Sequence, residues 1–151
     1  MTQDFDSSSI PEGMKIPGFL LTQSGRIIIE SIAETLKPIG LVTMEFGLMR
    51  ILSVSGPINQ QTLAAKYNLD RTRVTQLVDS MEDKGLVTRQ KDPRDRRSNL
   101  IHLTPAGKRL FTRAVKQVTR CQNEFLEPLS EDEWEQLKTL LVKLLEHHTG
   151  K

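Results

Sequence analysis

Apolar residues fall at helical spacing along most of this chain, and the runs are separated by short breaks rich in Gly, Pro and capping residues. Phe19, Leu20, Leu21, Ile27, Ile28, Ile29, Ile32, Ala33 and Leu36 lie so densely that they predict a helix buried on more than one side, ended by Pro38 and Gly40. A second helix is predicted with Thr43 as its cap, Glu45 in its first turn, Phe46, Met49, Ile51 and Leu52 on its apolar side, and Gly56-Pro57 as its stop. Ile58-Asn59 opens a third, short helix: Asn59 caps it, Ile58 staples onto Leu63, and Tyr67-Asn68 closes it. Asp70 caps a fourth, which carries Val74, Leu77, Val78 and Met81 at i, i+3, i+4 and i+7 and ends at Gly85.

The period then changes. Residues 86–103 predict two short strands joined by a tip that carries Arg94, Arg96 and Arg97. Thr104-Pro105 starts another helix, whose stripe is Phe111, Ala114, Val118, Cys121 and Phe125 and whose end is Pro128. Ser130 with Glu133 forms a capping box for the last helix, with Leu129 stapling onto Trp134 and with Leu137, Leu140, Leu141, Leu144 and Leu145 beyond. The expected fold is mainly α with a small β-wing: a helix pair followed by a basic ribbon, the layout of a winged helix-turn-helix. Residues 1–16 lack periodicity and predict an arm. Residues 17–38 and 104–148 predict dimerisation helices around a winged region at 41–104. The apolar surface at both chain ends is more than one small head needs; it fits either a thick core or a dimer interface, and the dimer also supplies two heads.

Charge sharpens this picture. The net charge is only +2, but residues 56–104 hold nine Lys/Arg against six Asp/Glu, while both ends are slightly acidic. A basic reading head on a neutral-to-acidic body suits a polyanion. A single cysteine excludes an intramolecular disulfide, the acidic N-terminus is unlike a signal peptide, and no apolar run is long enough for a bilayer, so a cytoplasmic location without membrane contact is expected.

With Val74, Leu77, Val78 and Met81 turned inward, Thr72, Gln76 and Asp79 point outward, flanked by Arg73 and Thr75. Arg suits guanine, Gln suits adenine, and the Thr methyl suits thymine; Arg71 in the first turn suits phosphate. The same residues would also serve as an ordinary solvated face. Asp79, Glu82 and Asp83 limit the DNA-facing part to the first two turns. In the ribbon, Asp92 and Asp95 sit among five basic residues, which suggests carboxylates holding arginine rotamers: Asp95 pairs with Arg97, leaving Arg96 free to enter a minor groove, with Arg94 sharing that role or taking a phosphate. A charged hairpin kept soluble by mixed charge is the bland alternative.

The run Leu63-Ala-Ala, then Asp70 through Arg89, then Asp92-Pro-Arg-Asp-Arg-Arg97, then Leu103-Thr-Pro-Ala-Gly107 resembles the MarR family of bacterial transcription regulators. The resemblance spans about residues 19 to 147. It implies a homodimer with two winged heads on a pseudo-palindromic double-stranded DNA operator. In most members it also implies repression relieved by a small phenolic or other lipophilic compound bound between the heads and the dimerisation region. Carried over, the recognition-helix contacts fall on Thr72, Arg73, Thr75 and Gln76, and the wing contact falls on Arg96, supported by Asp95 and Arg97. No ligand-site motif carries over. A winged-helix interaction or architectural protein without sequence choice is the competing class.

Other chemistry is weakly represented. Cys121 sits on an apolar stripe, where an inert thiol is the ordinary outcome, and the reactive cysteine that oxidant-sensing relatives often carry near the first helix is missing. His102 and His147-His148 lack metal-ligand spacing, and no phosphate loop or nucleophile elbow is present, so neither an enzyme nor a bound cofactor is expected.

Overall fold

The computed structural model describes residues 10–150. The expected arm at 1–16 therefore lies largely outside the described residues; its described end holds one 3₁₀ turn, Glu12–Met14. The elements that follow are α1 (Pro17–Leu36), a 3₁₀ turn (Lys37–Ile39), α2 (Thr43–Ser55), β1 (Ile58–Asn59), α3 (Gln60–Tyr67), α4 (Arg71–Asp83), β2 (Val87–Lys91), β3 (Asn99–Leu103), α5 (Pro105–Leu126) and α6 (Glu131–Thr149).

Most helix ends are set by the residues expected. The side chains of Asn59, Asp70, Thr104 and Ser130 accept from the third N–H of α3, α4, α5 and α6, and the Glu133 carboxylate accepts in return from the Ser130 amide. Asn68 and Gly85 take the left-handed conformations that close α3 and α4. One expectation is corrected and one is extended. Thr43 is the first residue of α2 and not its cap; the cap position is Val42, whose N–H donates to Glu45 Oε2 at 3.1 Å. Ile58-Asn59 opens α3 with Asn59 as its cap, and the same two residues also form a third strand, giving the antiparallel order β1-β3-β2 with Ile58 opposite Ile101. Two residues are too few to show a strand period, and the pairing depends on a partner far along the chain.

The core is continuous from the body into the head. Leu36, Leu48, Met49, Leu63, Val74, Val78, Met81, Ile101, Ala114 and Val118 are all buried. The ends of the chain are different. Leu20, Leu21, Ile27 and Ile29 on α1 are exposed, as are Leu137, Leu140, Leu144 and Leu145 on α6, and α6 has no buried residue at all.

Among the described residues Glu45 is the one buried charged side chain, 2% exposed. It is held by Lys84 at the end of α4, whose ammonium donates to both carboxylate oxygens at 2.7 and 2.9 Å and to the Gly40 carbonyl at 3.2 Å; Ser80 Oγ donates at 3.3 Å. This junction ties the turn after α1 to the end of α4. Losing one partner of a buried pair costs several kcal/mol, but the Lys84 side chain is 40% exposed and water reaches it. Lys84→Met is therefore expected to cost about 1–2 kcal/mol in denaturant unfolding. Replacing Glu45 by Met as well should recover part of that loss, because no carboxylate is then left unpaired. An unchanged midpoint for Lys84→Met would show that the pair contributes nothing.

Tyr67, the chain's sole tyrosine, packs against Gly47, and its burial raises the phenol pKa above the ordinary 10.0. The folded state thus favours the protonated phenol: its contribution is intact below pH 10 and declines as pH rises through the folded pKa. Phenolate absorbance should accordingly titrate at higher pH in the native protein than in denaturant; coincident curves would contradict the burial effect.

Candidate nucleic-acid interface

The local sequence of α4 makes one face apolar and leaves the other to solvent. Val74, Val78 and Met81 are buried, whereas Arg71, Thr72, Arg73 and Gln76 are exposed and Thr75 is half-buried. Arg73 Nε lies 3.7 Å from the capping carboxylate of Asp70, so its guanidinium stays near the start of the helix. Thr75 is more constrained than its neighbours: its hydroxyl donates to the Arg71 carbonyl at 2.9 Å and accepts from Gln60 Nε2.

The wing is built on the paired strands β2 and β3, with Val87 opposite Leu103 and Lys91 opposite Asn99. Its tip is closed by the two aspartates. Asp92 Oδ1 accepts from the Arg94 amide at 2.9 Å, Asp95 Oδ1 accepts from the Arg97 amide at 3.0 Å, and the backbone bonds Ser98 N–H to Asp95 O and Asp92 N–H to Ser98 O complete the loop. Such side-chain-to-backbone turns are what Asp does readily. The sequence reading paired Asp95 with the guanidinium of Arg97; in the structure the carboxylate grips the Arg97 backbone amide. Among the described residues, Arg94, Arg96 and Arg97 make no ion pair within 4.0 Å, and all three are exposed. The acids thus shape the loop, and the three cationic heads remain available.

Arg89 joins wing to helix. Its guanidinium bonds Asp79 and Glu82 on α4, and its backbone N–H donates to Glu82 Oε1 at 3.1 Å. Burial opposes the charge of Arg89, and the hydrogen bonds and charges of the two acids outweigh it, so its pKa lies above the ordinary guanidinium value. Sequence reasoning took Asp79 and Glu82 as a weak half of the helix; both are instead engaged by Arg89. Arg89, Gln60 and Lys84 were missed. Their partners lie 7 to 44 positions away, beyond the range in which spacing along one element signals contact.

Between α3, α4 and the wing lies an open cleft of about 780 Å³, lined by Gln60, Arg71, Thr75, Arg89, Arg97 and Asn99 among others. Arg71 and Arg97, far apart in sequence, are therefore brought to one concavity, while Thr72, Arg73, Gln76, Arg94 and Arg96 do not line it. A second cavity, about 360 Å³, lies between α2, β3 and α5 and is lined by Leu52, His102, Leu103, Lys108 and Phe111. Cys121 is half-buried against the core, and among the described residues no group of three His, Cys, Asp or Glu is placed to hold a metal. No helix among them is long and apolar enough to cross a membrane.

Comparison with known proteins is consistent across sequence and structure. A family model described as the MarR family matches residues 43–98. The chain is similar to a putative transcriptional regulatory protein for the hcr operon of Thauera aromatica, 31% identical over 99 residues, which are 66% of this chain and 60% of that protein. The match thus spans less than two thirds of that relative's length. Among solved structures it is similar to the transcriptional repressor CouR bound to a 23-mer DNA duplex, with TM-score 0.82, 26% identity, and 91% and 99% of the two chains covered. CouR from Rhodococcus jostii RHA1 bound to p-coumaroyl-CoA gives TM-score 0.76 and 30% identity, covering 86% of this chain and 92% of that one.

Proposed function

The chain belongs to the MarR family of transcription regulators, and from that premise we propose that it is a cytoplasmic homodimeric repressor that binds a pseudo-palindromic DNA operator and leaves it when a small aromatic ligand binds. The observation that carries the DNA half is the tip of the wing. Three arginines without ion-pair partners among the described residues project from a loop that two aspartates close through the backbone, beside a helix whose first two turns present Arg71, Thr72, Arg73, Thr75 and Gln76. In this reading α4 enters the major groove, Arg71 meets phosphate, and Arg96, with Arg94 beside it, enters the adjacent minor groove. Asp95 and the Arg97 backbone hold the tip in shape.

The dimer is supported by the exposed leucines and isoleucines of α1 and α6, apolar side chains that a second copy would take out of water. A second copy covering them sets the spacing of the two heads, which must match about 34 Å of DNA. The ligand half is supported by CouR, which is bound to p-coumaroyl-CoA in one of its structures. The cavity between α2, β3 and α5 offers an apolar and aromatic lining with Lys108 at hand for an anionic group, and it touches both the head and α5. A ligand that fits a dimer with wrongly spaced heads better than the DNA-ready dimer shifts the population away from DNA.

The test is selection of bound fragments from the source genome, followed by salt titration of the best site. A regulator selects one site, and its affinity falls steeply with salt because several phosphates are neutralised. Binding without preference among fragments would make it an architectural protein, and no binding at low salt would make it an interaction protein. Adding p-coumaroyl-CoA and simple aromatic acids to the complex then tests release.

A further inference from the structure

Thr75 is held differently from the other outward residues of α4, and the difference decides what it can offer a base. A hydroxyl has one proton to give and two lone pairs. The proton of Thr75 goes to the Arg71 carbonyl at 2.9 Å, one turn back along the helix. A lone pair takes the Gln60 amide, which comes from the first turn of α3, 15 residues away. The direction of that second bond is settled by the first: with the Thr75 proton committed to Arg71, Gln60 must present its NH₂. Thr75 therefore cannot donate to a base without breaking its helical bond, and its χ1 is fixed by two partners that pull the oxygen toward the helix and α3. What remains for the groove is the methyl and one lone pair, on an oxygen that both partners draw back from it.

We infer that Thr75 reads DNA through its methyl group, against the C5-methyl of a thymine, and that Gln60 is the positioning residue that turns it there. The inference rests on the proposal that α4 enters the major groove. It separates Thr75 from Arg73 and Gln76, whose contributions to the same groove are polar, and from Arg71, which meets phosphate. It also assigns α3 a part in specificity, through a residue of its first turn.

The experiment uses the full chain and the site it selects from genomic DNA. Each thymine in the half-site is replaced in turn by deoxyuridine, which removes only the methyl. The parent should lose roughly fourfold in affinity at one thymine per half-site, the worth of one buried methyl. Thr75→Ser, which keeps the hydroxyl and lacks the methyl, should bind thymine and deoxyuridine alike at that position. Thr75→Val, which keeps a methyl and lacks the hydroxyl, should still distinguish them. Gln60→Ala should blunt the discrimination in the parent and leave it unchanged in Thr75→Val, which has no hydroxyl to hold; a merely structural role would move the melting temperature in both backgrounds and this coupling in neither. If the parent is indifferent to every deoxyuridine, or if Thr75→Ser discriminates as the parent does, the methyl assignment is wrong while the DNA-reading proposal stands. If the parent selects no site, both fall together.

Discussion

Gly107→Ala should destabilise the protein by about 2–4 kcal/mol, lowering the thermal midpoint by roughly 5–15 °C. A β-carbon built on Gly107 would lie 2.0 Å from the carbonyl oxygen of Leu86, a backbone atom. That oxygen is itself pinned, accepting the Thr104 amide at 3.0 Å, while the Thr104 hydroxyl donates to the Gly85 carbonyl at 2.6 Å and accepts from the Gly107 amide at 2.9 Å. The start of α5 cannot retreat without breaking these bonds, which join it to the base of the wing. Alanine's better helix propensity returns less than about 1 kcal/mol, so the clash decides the sign. Gly47 provides the control. There an added β-carbon would also collide, but with the phenol oxygen and ring edge of Tyr67, a half-buried side chain and not backbone. Gly47→Ala should therefore cost less than Gly107→Ala; the reverse order in thermal melts would sink this account of the Thr104–Gly107 corner.

Arg96→Ala should weaken binding to the selected operator about ten- to a hundredfold and leave the melting temperature unchanged. The side chain is exposed and holds no ion pair among the described residues, and the loop around it is closed by Asp92 and Asp95 through backbone amides, so its loss removes nothing seen to shape the tip. If Arg96 inserts into a minor groove, the loss concentrates on sites with narrow A·T-rich flanks and sequence preference there relaxes. If it meets only phosphate, affinity falls evenly across sequences and the salt slope shrinks by about one. Parent-like operator affinity would move the wing contact to Arg94 or Arg97. Asp95→Ala is a useful companion, since it leaves all three arginines in place and removes the bond to the Arg97 amide.

These outcomes draw on features of different legibility. Thr104-Pro105 with Gly107 could be read from sequence as a helix start, because capping acts within one turn. That Gly107 must be glycine could not, since the atom it avoids belongs to Leu86, across the β-hairpin. The basic tip with its three exposed arginines could be read. The work of Asp95 was read as a guanidinium clamp, and both bonds are open to an Asp two residues before an Arg; only the folded loop selects the amide.

The sequence by itself determined the helices, all but one of the caps named for them and the basic ribbon, because these depend on periodicity and on bonds reaching three or four residues. It also determined the polar, outward character of the first half of α4. The tertiary structure alone decided the third strand, the burial of Glu45 against Lys84 and Ser80, the engagement of Asp79 and Glu82 by Arg89, and the hold of Gln60 on Thr75. Each of these joins residues that no local period relates, and each arises only when packing of the apolar faces brings the polar edges of different elements within hydrogen-bond reach.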